Sequence, residues 1–296
     1  MKTSYCSYSI TAALDACKDI MGPYSTISST QDHIRFMNLK DKILEEMKTS
    51  GIAVGSIASF DYELINKWLE ERKFSLRMPE FPNDGQHFGT AATLEVILKW
   101  LKPCIERQVR IEDGRDFPAF TLDSVKRFKI GNKKVYSLMD TNAFFVYMTE
   151  CPMEGRSHEN ELDLLEYGVT LEGPTDGVSL VVPMIDYDQE SVLNWMGGLE
   201  IMGPTFPRSV VEVAIQQNIF KMDEVGAEVK SASIIGYSGY SGYSDSGIDF
   251  IKNPFLLWIY APNCTIPFFI GHFGYDCWKR PERPSKEKSN EDKSVK

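Results

Sequence analysis

Apolar residues recur at helical spacing early in the chain and alternate with polar ones over much of the remainder. In "SITAALDACKDIMG" (9–22), Ile10, Ala13, Leu14 and Cys17 share one face, with Ser9 as entry and Gly22 as stop, which predicts a helix. "DYELINKWLEERK" (61–73) predicts a second amphipathic helix carrying Leu64, Ile65, Trp68 and Leu69, with acids early and bases late. "ATLEVILKWL" (92–101) is apolar enough for a buried strand or a buried helix, and periodicity does not separate the two. Beyond Pro103 the texture changes. "AFTLDSVKRFKI" and "KKVYSLMD" alternate as half-exposed strands do, and "NELDLLEYG" with "GVSLVVPMI" reads as a strand pair across "VTLEGPTD". "SVVEVAIQQNIFKMD" (209–223) predicts one long strand, and "FLLWIYAP" with "IPFFIGHF" a buried hairpin around "NCT". Early helices and late mixed strands predict a single α+β domain over residues 1–281, followed by a disordered charged tail over 282–296.

Composition narrows the function. The chain has 296 residues, 43% hydrophobic, enough for a sizeable core. Its formal net charge of −10 argues against general affinity for nucleic acid or anionic membrane. The start lacks the apolar run of a secretory signal and no stretch approaches a membrane span, so the expectation is a cytoplasmic protein, extracellular if the chain has more sequence upstream. Six cysteines without CxxC spacing predict reduced, mostly buried thiols, and four isolated histidines offer no metal motif. Hydrolase, phosphate-binding and metalloprotease signatures are absent, Cys104 and Cys151 have no histidine nearby in sequence, and no residue set supports an enzyme. No cofactor is implied.

One stretch stands apart. In "GYSGYSGYSDSG" (236–247), three Gly-Tyr-Ser units run in tandem on a segment too rich in glycine to hold a strand. It follows "KMDEVGAEVKSASII". Past Gly226, the residues Ala227, Val229, Ser231, Ser233 and Ile235 form a small, uncharged face, while Glu228, Lys230, Ala232 and Ile234 form the other. That is a strand with one packed and one wet side, leading into an exposed tip. An ordinary edge strand followed by a surface loop carries the same pattern.

"DEVGAEVKSAS" (223–233) resembles the hinge of inhibitory serpins, with Glu224, Gly226, Ala227 and Glu228 in register. "FIKNPFLLWIY" (250–260) is similar to the family's Phe-x-x-x-Pro-Phe strand with one extra residue, and "TIPFFIGHF" (265–273) to its closing strand. Upstream, "YCSYSITAAL" (5–14), "INKWLEE" (65–71), the stretch 100–130 and "LDLLEYGVTLEGPTDGVSLVVPM" (162–184) resemble further family segments in collinear order. The chain is identified as a shortened, divergent serpin.

The resemblance implies a monomeric suicide-substrate inhibitor of a serine protease, with a reactive-centre loop over about 226–249 and chymotrypsin-like specificity. Counting from Gly226 puts the reactive bond at Tyr240-Ser241, and counting back from Pro254 puts it at Tyr243-Ser244; Tyr237-Ser238 is a third candidate. After cleavage the hinge, Glu224, Gly226, Ala227, Glu228, Val229, Ser231 and Ser233, enters the central sheet. The tyrosine repeat then keeps bait in place in every register, although a linker of repeated units without selected specificity reads the same. The alternative function is a non-inhibitory serpin-fold binding protein whose loop is cut without trapping. The polar cluster under the central sheet is expected to contain Ser9 and Gln216, with Cys6 in place of a serine and Ile97 in place of an asparagine. The segment before Pro207 is expected to lack a central-sheet strand.

Overall fold

The computed structural model describes residues 3–100, 104–130, 133–138, 144–151, 176–229 and 247–282. In chain order the first half comprises β1 (Thr3–Cys6), α1 (Ser7–Asp15), α2 (Lys18–Met21), β2 (Ser25–Ile27), α3 (Gln31–Thr49), β3 (Val54–Ser59), α4 (Tyr62–Glu71), β4 (Gly89–Leu94), β5 (Val96–Lys99), β6 (Ile105–Arg110), β7 (Asp116–Ile130) and β8 (Lys133–Ser137). There follow β9 (Phe145–Glu150), β10 (Asp176–Pro183), β11 (Ile185–Val192), β12 (Glu200–Met202), β13 (Ser209–Val210), β14 (Ile215–Asp223), β15 (Gly226–Val229), β16 (Ile248–Phe250), β17 (Phe255–Tyr260) and β18 (Phe269–Phe273).

Two sheets carry the architecture. The larger has nine strands in the order β1-β18-β17-β9-β8-β7-β10-β16, with β6 added beside β7. The central sheet runs β11-β14-β15-β5, and each neighbouring pair in it is antiparallel. β17 is buried at all six positions because both its faces are covered. Phe255, Leu257 and Ile259 point into a core shared with Phe220, Met222, Ala227 and Val229 of the central sheet. Leu256, Trp258 and Tyr260 point the other way, into a core shared with Ile10 and Leu14 of α1 and Phe36 of α3. Phe220 stacks on Phe269 and Phe273, with centroids 5.4 and 4.9 Å apart, which locks the central sheet to the larger one.

The expected hairpin forms. β17 and β18 pair antiparallel, and the "NCT" turn places Asn263 at φ 61, in the left-handed region that asparagine tolerates. Glu46 of α3 secures this turn by accepting from Thr265 N, Thr265 Oγ1 and Ile266 N at 3.0, 2.7 and 3.1 Å.

Four expectations need correction. The first helix begins at Ser7, two residues before Ser9, because Ser7 N and Ser7 Oγ bond the carbonyls of Phe268 and Pro267; tertiary bonds set its start. That helix also stops at Asp15 and restarts at Lys18, while Gly22, at φ 74, ends α2. For the apolar run 92–101, where periodicity left strand and helix open, the described part is strand, Ala92 to Leu94 in β4 and Val96 to Lys99 in β5. The long strand expected over 209–223 is two, since Val211 and Ala214 pair instead with Leu199, Gly198 and Leu193. The segment before Pro207 does supply a central-sheet strand, β11, paired with β14 from Ile185 to Val192. The strand expected over 160–168 and the tail beyond 282 lie outside the described residues, except for Glu282 itself.

Candidate functional site

β14 ends at Asp223, and the chain reverses in two residues to enter β15. Asp223 Oδ1 accepts from Val225 N at 2.9 Å and Gly226 N at 3.3 Å, an Asx-type turn that a buried aspartate suits. Trp100 Nε1 donates to Asp223 O at 2.7 Å and pins the turn to the end of β5. Glu224, in the turn, lies 3.5 Å from Arg280, whose guanidinium also bonds Glu106 at 2.6 Å.

β15 then lies between β14 and β5, paired on both sides. Gly226, Ala227, Glu228 and Val229 face Asp223, Met222, Lys221 and Phe220 on one side, and Lys99, Leu98, Ile97 and Val96 on the other. Ala227 and Val229 are buried and Glu228 is half-buried, so the alternation seen in the sequence is the alternation of this strand. Gly226 to Val229 therefore occupy an inner position in the sheet rather than an edge. Gly226 is required here by space. A Cβ at this position would stand 2.0 Å from Leu98 O, inside the backbone of β5.

Below Val229, β14 continues on one side and β4 stands on the other, with no strand between them among the described residues. They enclose a cavity of about 170 Å³. Its side walls are β14 from Ile215 to Ile219 and β4 from Thr90 to Leu94, and its floor is Ser9, Ile10, Ala13 and Leu14 of α1. Its roof is the segment 74–79 that follows α4, and Val229 closes its upper end.

A polar cluster sits at the floor. Gln216 Nε2 donates to Ser9 Oγ at 2.8 Å and to Cys6 O at 3.0 Å, and its Oε1 accepts from Cys6 N at 3.1 Å. The structure thus brings together Ser9 and Gln216, 207 residues apart in sequence. Asn218 Nδ2 donates to Gln216 Oε1 at 2.9 Å and to Ser4 O at 3.2 Å, and Ser4 Oγ meets Tyr187 OH at 2.9 Å. Ile97 is not in this cluster. It stands opposite Glu228 on the other face of the sheet, and the amide that joins Gln216 is Asn218. Burial pushes the Cys6 thiol up, so it serves the cluster as a small neutral group.

The chain that follows residue 246 is anchored separately. β16 pairs parallel with β10 at the edge of the larger sheet. Asp249 accepts from Arg127 Nη1 at 2.8 Å, Lys134 Nζ at 3.0 Å and Tyr136 OH at 3.0 Å. Burial alone would raise its carboxyl; these three donors outweigh that and hold it below the ordinary carboxylate range.

Tyr237, Ser238, Tyr240, Ser241, Tyr243 and Ser244, and the hinge serines Ser231 and Ser233, lie outside the described residues. Sequence reasoning missed Trp100, Asp223, Gln217, Asn218 and Asp249. One signal was available for two of them: "IQQNIF" (215–220) puts three consecutive amides inside an otherwise apolar strand. Burial, with nearby Asp123 adding to it, pushes the Cys104 thiol up to about 12, which disfavours its thiolate.

No protein-family model and no curated protein sequence matches the chain. Solved structures do. A serpin from the trematode Schistosoma haematobium is similar at 13% identity and a TM-score of 0.59, over 92% of this chain and 93% of that one. A cleaved, loop-inserted ovalbumin mutant gives 11% identity and a TM-score of 0.59 over 92% and 93%. Thyroxine-binding globulin complexed with thyroxine gives 11% and 0.56 over 92% of both chains. At such identities the likeness speaks to architecture, and over nine-tenths of its length this chain has the serpin fold.

Proposed function

We propose that this chain inhibits a chymotrypsin-like serine protease as a suicide substrate, by inserting its cleaved loop into the central sheet. One observation carries the reading. Gly226 to Val229 already form an inner strand between β14 and β5, and directly below them a cavity lies between β14 and β4 with no strand across it among the described residues. A strand that continues the register gains main-chain hydrogen bonds on both sides.

The register indicates what enters. Val229 stands opposite Phe220, so each further residue steps back by one along β14. Ser231 then comes opposite Asn218 and Ser233 opposite Gln216, bringing two hydroxyls to the amide cluster. Lys230 comes opposite Glu95, because Val229 stands opposite Val96. Small hydroxyl residues suit a floor that is already polar, and the cross-strand charge pair adds to the outer face.

The bait is Tyr240-Ser241, or Tyr243-Ser244 in the second register. The protease serine attacks the tyrosine carbonyl carbon. The peptide C–N bond breaks, the protease histidine gives its proton to the departing serine amine, and the tyrosine carbonyl remains as an ester on the enzyme. Insertion of residues 230 onward then carries the acylated protease across the molecule before water can hydrolyse that ester. Asp249 keeps the other side of the cut in place on β16, so only the hinge side travels.

Incubation with chymotrypsin followed by denaturing electrophoresis tests this. The expected result is a covalent complex at the summed mass, with the new amino terminus at Ser241 or Ser244. Complete cleavage with free protease and no complex would leave a serpin-fold binding protein whose loop is merely cut.

A further inference from the structure

Gln217 neighbours the floor amide Gln216 but points to the opposite face of β14, and its bonding is unusual for a strand side chain. Its Oε1 accepts from Ser75 N at 3.1 Å and Leu76 N at 2.9 Å. Its Nε2 donates to Ser75 Oγ at 2.7 Å and Asp188 Oδ1 at 2.7 Å. One amide, only 9% exposed, therefore uses both its ends to tie segment 74–79 to the central sheet. At its other end that segment is held by Asn66 of α4, which bonds Met78 O at 3.1 Å and Met78 N at 2.6 Å. The segment reaches from β14 to the β4 side, where Met78 lies over Gly89. Phe74, Leu76 and Met78 line the cavity that it roofs.

A strand laid into the slot alternates. Its inward side chains go to the floor, and its outward ones go to the space below this roof. Ala232, the residue that the register brings opposite Gln217, and Ile234 beyond it need that space. The roof must lift or slide before they enter. We propose that Gln217 is a latch: a positioning residue that holds segment 74–79 across the slot and sets the rate at which the loop inserts past Val229. The proposal rests on the insertion reading above. It adds that the barrier to insertion lies in one side chain's hydrogen bonds and not only in the fit of the hinge.

The test compares the full chain with Gln217→Ala and with the double variant Gln217→Glu, Asp188→Asn. The double variant keeps acceptors for Ser75 N and Leu76 N, and it reverses the donor and acceptor in the bridge to position 188. Each protein is nicked in its loop with chymotrypsin, and its conversion to a higher-melting form is followed over time. Gln217→Ala is expected to convert about tenfold faster or more, since it removes several hydrogen bonds each worth a factor of a few. In the intact protein, hydrogen exchange at Ser75 and Leu76 should rise with it. The double variant should return both rates to those of the unaltered chain. A purely structural role for Gln217 would lower the melts and leave the conversion rate unchanged. Equal conversion rates for all three proteins would overturn the latch and leave insertion standing. If Gln217→Ala converts faster yet no protein traps protease, the latch stands and the inhibitory reading falls. If none converts, both fall.

Discussion

Replacing Gly226 with alanine is expected to expel the hinge strand from the central sheet. The backbone at this position is not left-handed, so the substitution meets no conformational penalty of the usual glycine kind. The obstacle is contact. The new Cβ would lie 2.0 Å from Leu98 O and 3.1 Å from both Leu98 C and Lys99 Cα, and the backbone of a paired strand cannot step aside as a flexible side chain does. Either β5 separates from β15 or β15 leaves. β5 and β15 have four residues each, and β15, which carries the new Cβ, is the strand expected to leave. Its departure forfeits two ladders and re-exposes Ala227 and Val229, a loss on the order of 3 kcal/mol. Urea unfolding should show that loss, and limited proteolysis should cut the hinge within residues 226–229, where the unaltered chain resists. An alanine variant with unchanged stability and an uncut hinge would mean that Gly226 does not sit against β5 as described.

Replacing Ser233 with arginine is expected to abolish trapping while leaving cleavage intact. On the insertion reading, Ser233 comes to rest opposite Gln216, above Ser9 and Cys6. Those groups already bond one another, and none of them carries a charge to answer a guanidinium. An unpaired buried cation costs about 3–5 kcal/mol, and at about 1.4 kcal/mol per factor of ten that slows the final step at least a hundredfold. Water would then reach the ester first. Densitometry of covalent complex against cleaved chain should show that partition reversed, with the cleavage rate by chymotrypsin unaltered. The same substitution at Lys230, on the outward face, should have little effect. An arginine variant at 233 that traps as well as the parent would rule out this register.

The strand at Gly226–Val229 was readable because its information is local. Period-2 alternation over Ala227 and Val229 does not depend on partners, and the paired strand repeats it. What alternation cannot reveal is the identity of the partners. Residues 209–223 alternate throughout, yet the backbone changes neighbours at Val211–Ala214, and side-chain periodicity records no such change. The start of α1 was hidden for a similar reason. Ser9 looks like the cap, but the helix begins where Ser7 meets the loop before β18, 260 residues away in sequence. The floor cluster was half legible. Ser9 and Gln216 came from the family resemblance, whereas Asn218 takes part because it lies on the same face of β14 as Gln216, two residues on, and its amide reaches back along the strand. Gln217 reaches Ser75 and Leu76, and Asp249 reaches Arg127, Lys134 and Tyr136, all more than 100 residues distant, and no local pattern marks them.

The most direct measurement is the melting temperature of the intact chain against the same chain nicked by chymotrypsin within residues 236–246. The account predicts that the nicked form melts higher, by roughly 10 °C or more, because residues 230 onward add a central strand to the sheet once one end is free. A nicked form that melts at or below the intact one would contradict it, since the slot below Val229 would then be no receptor for the loop.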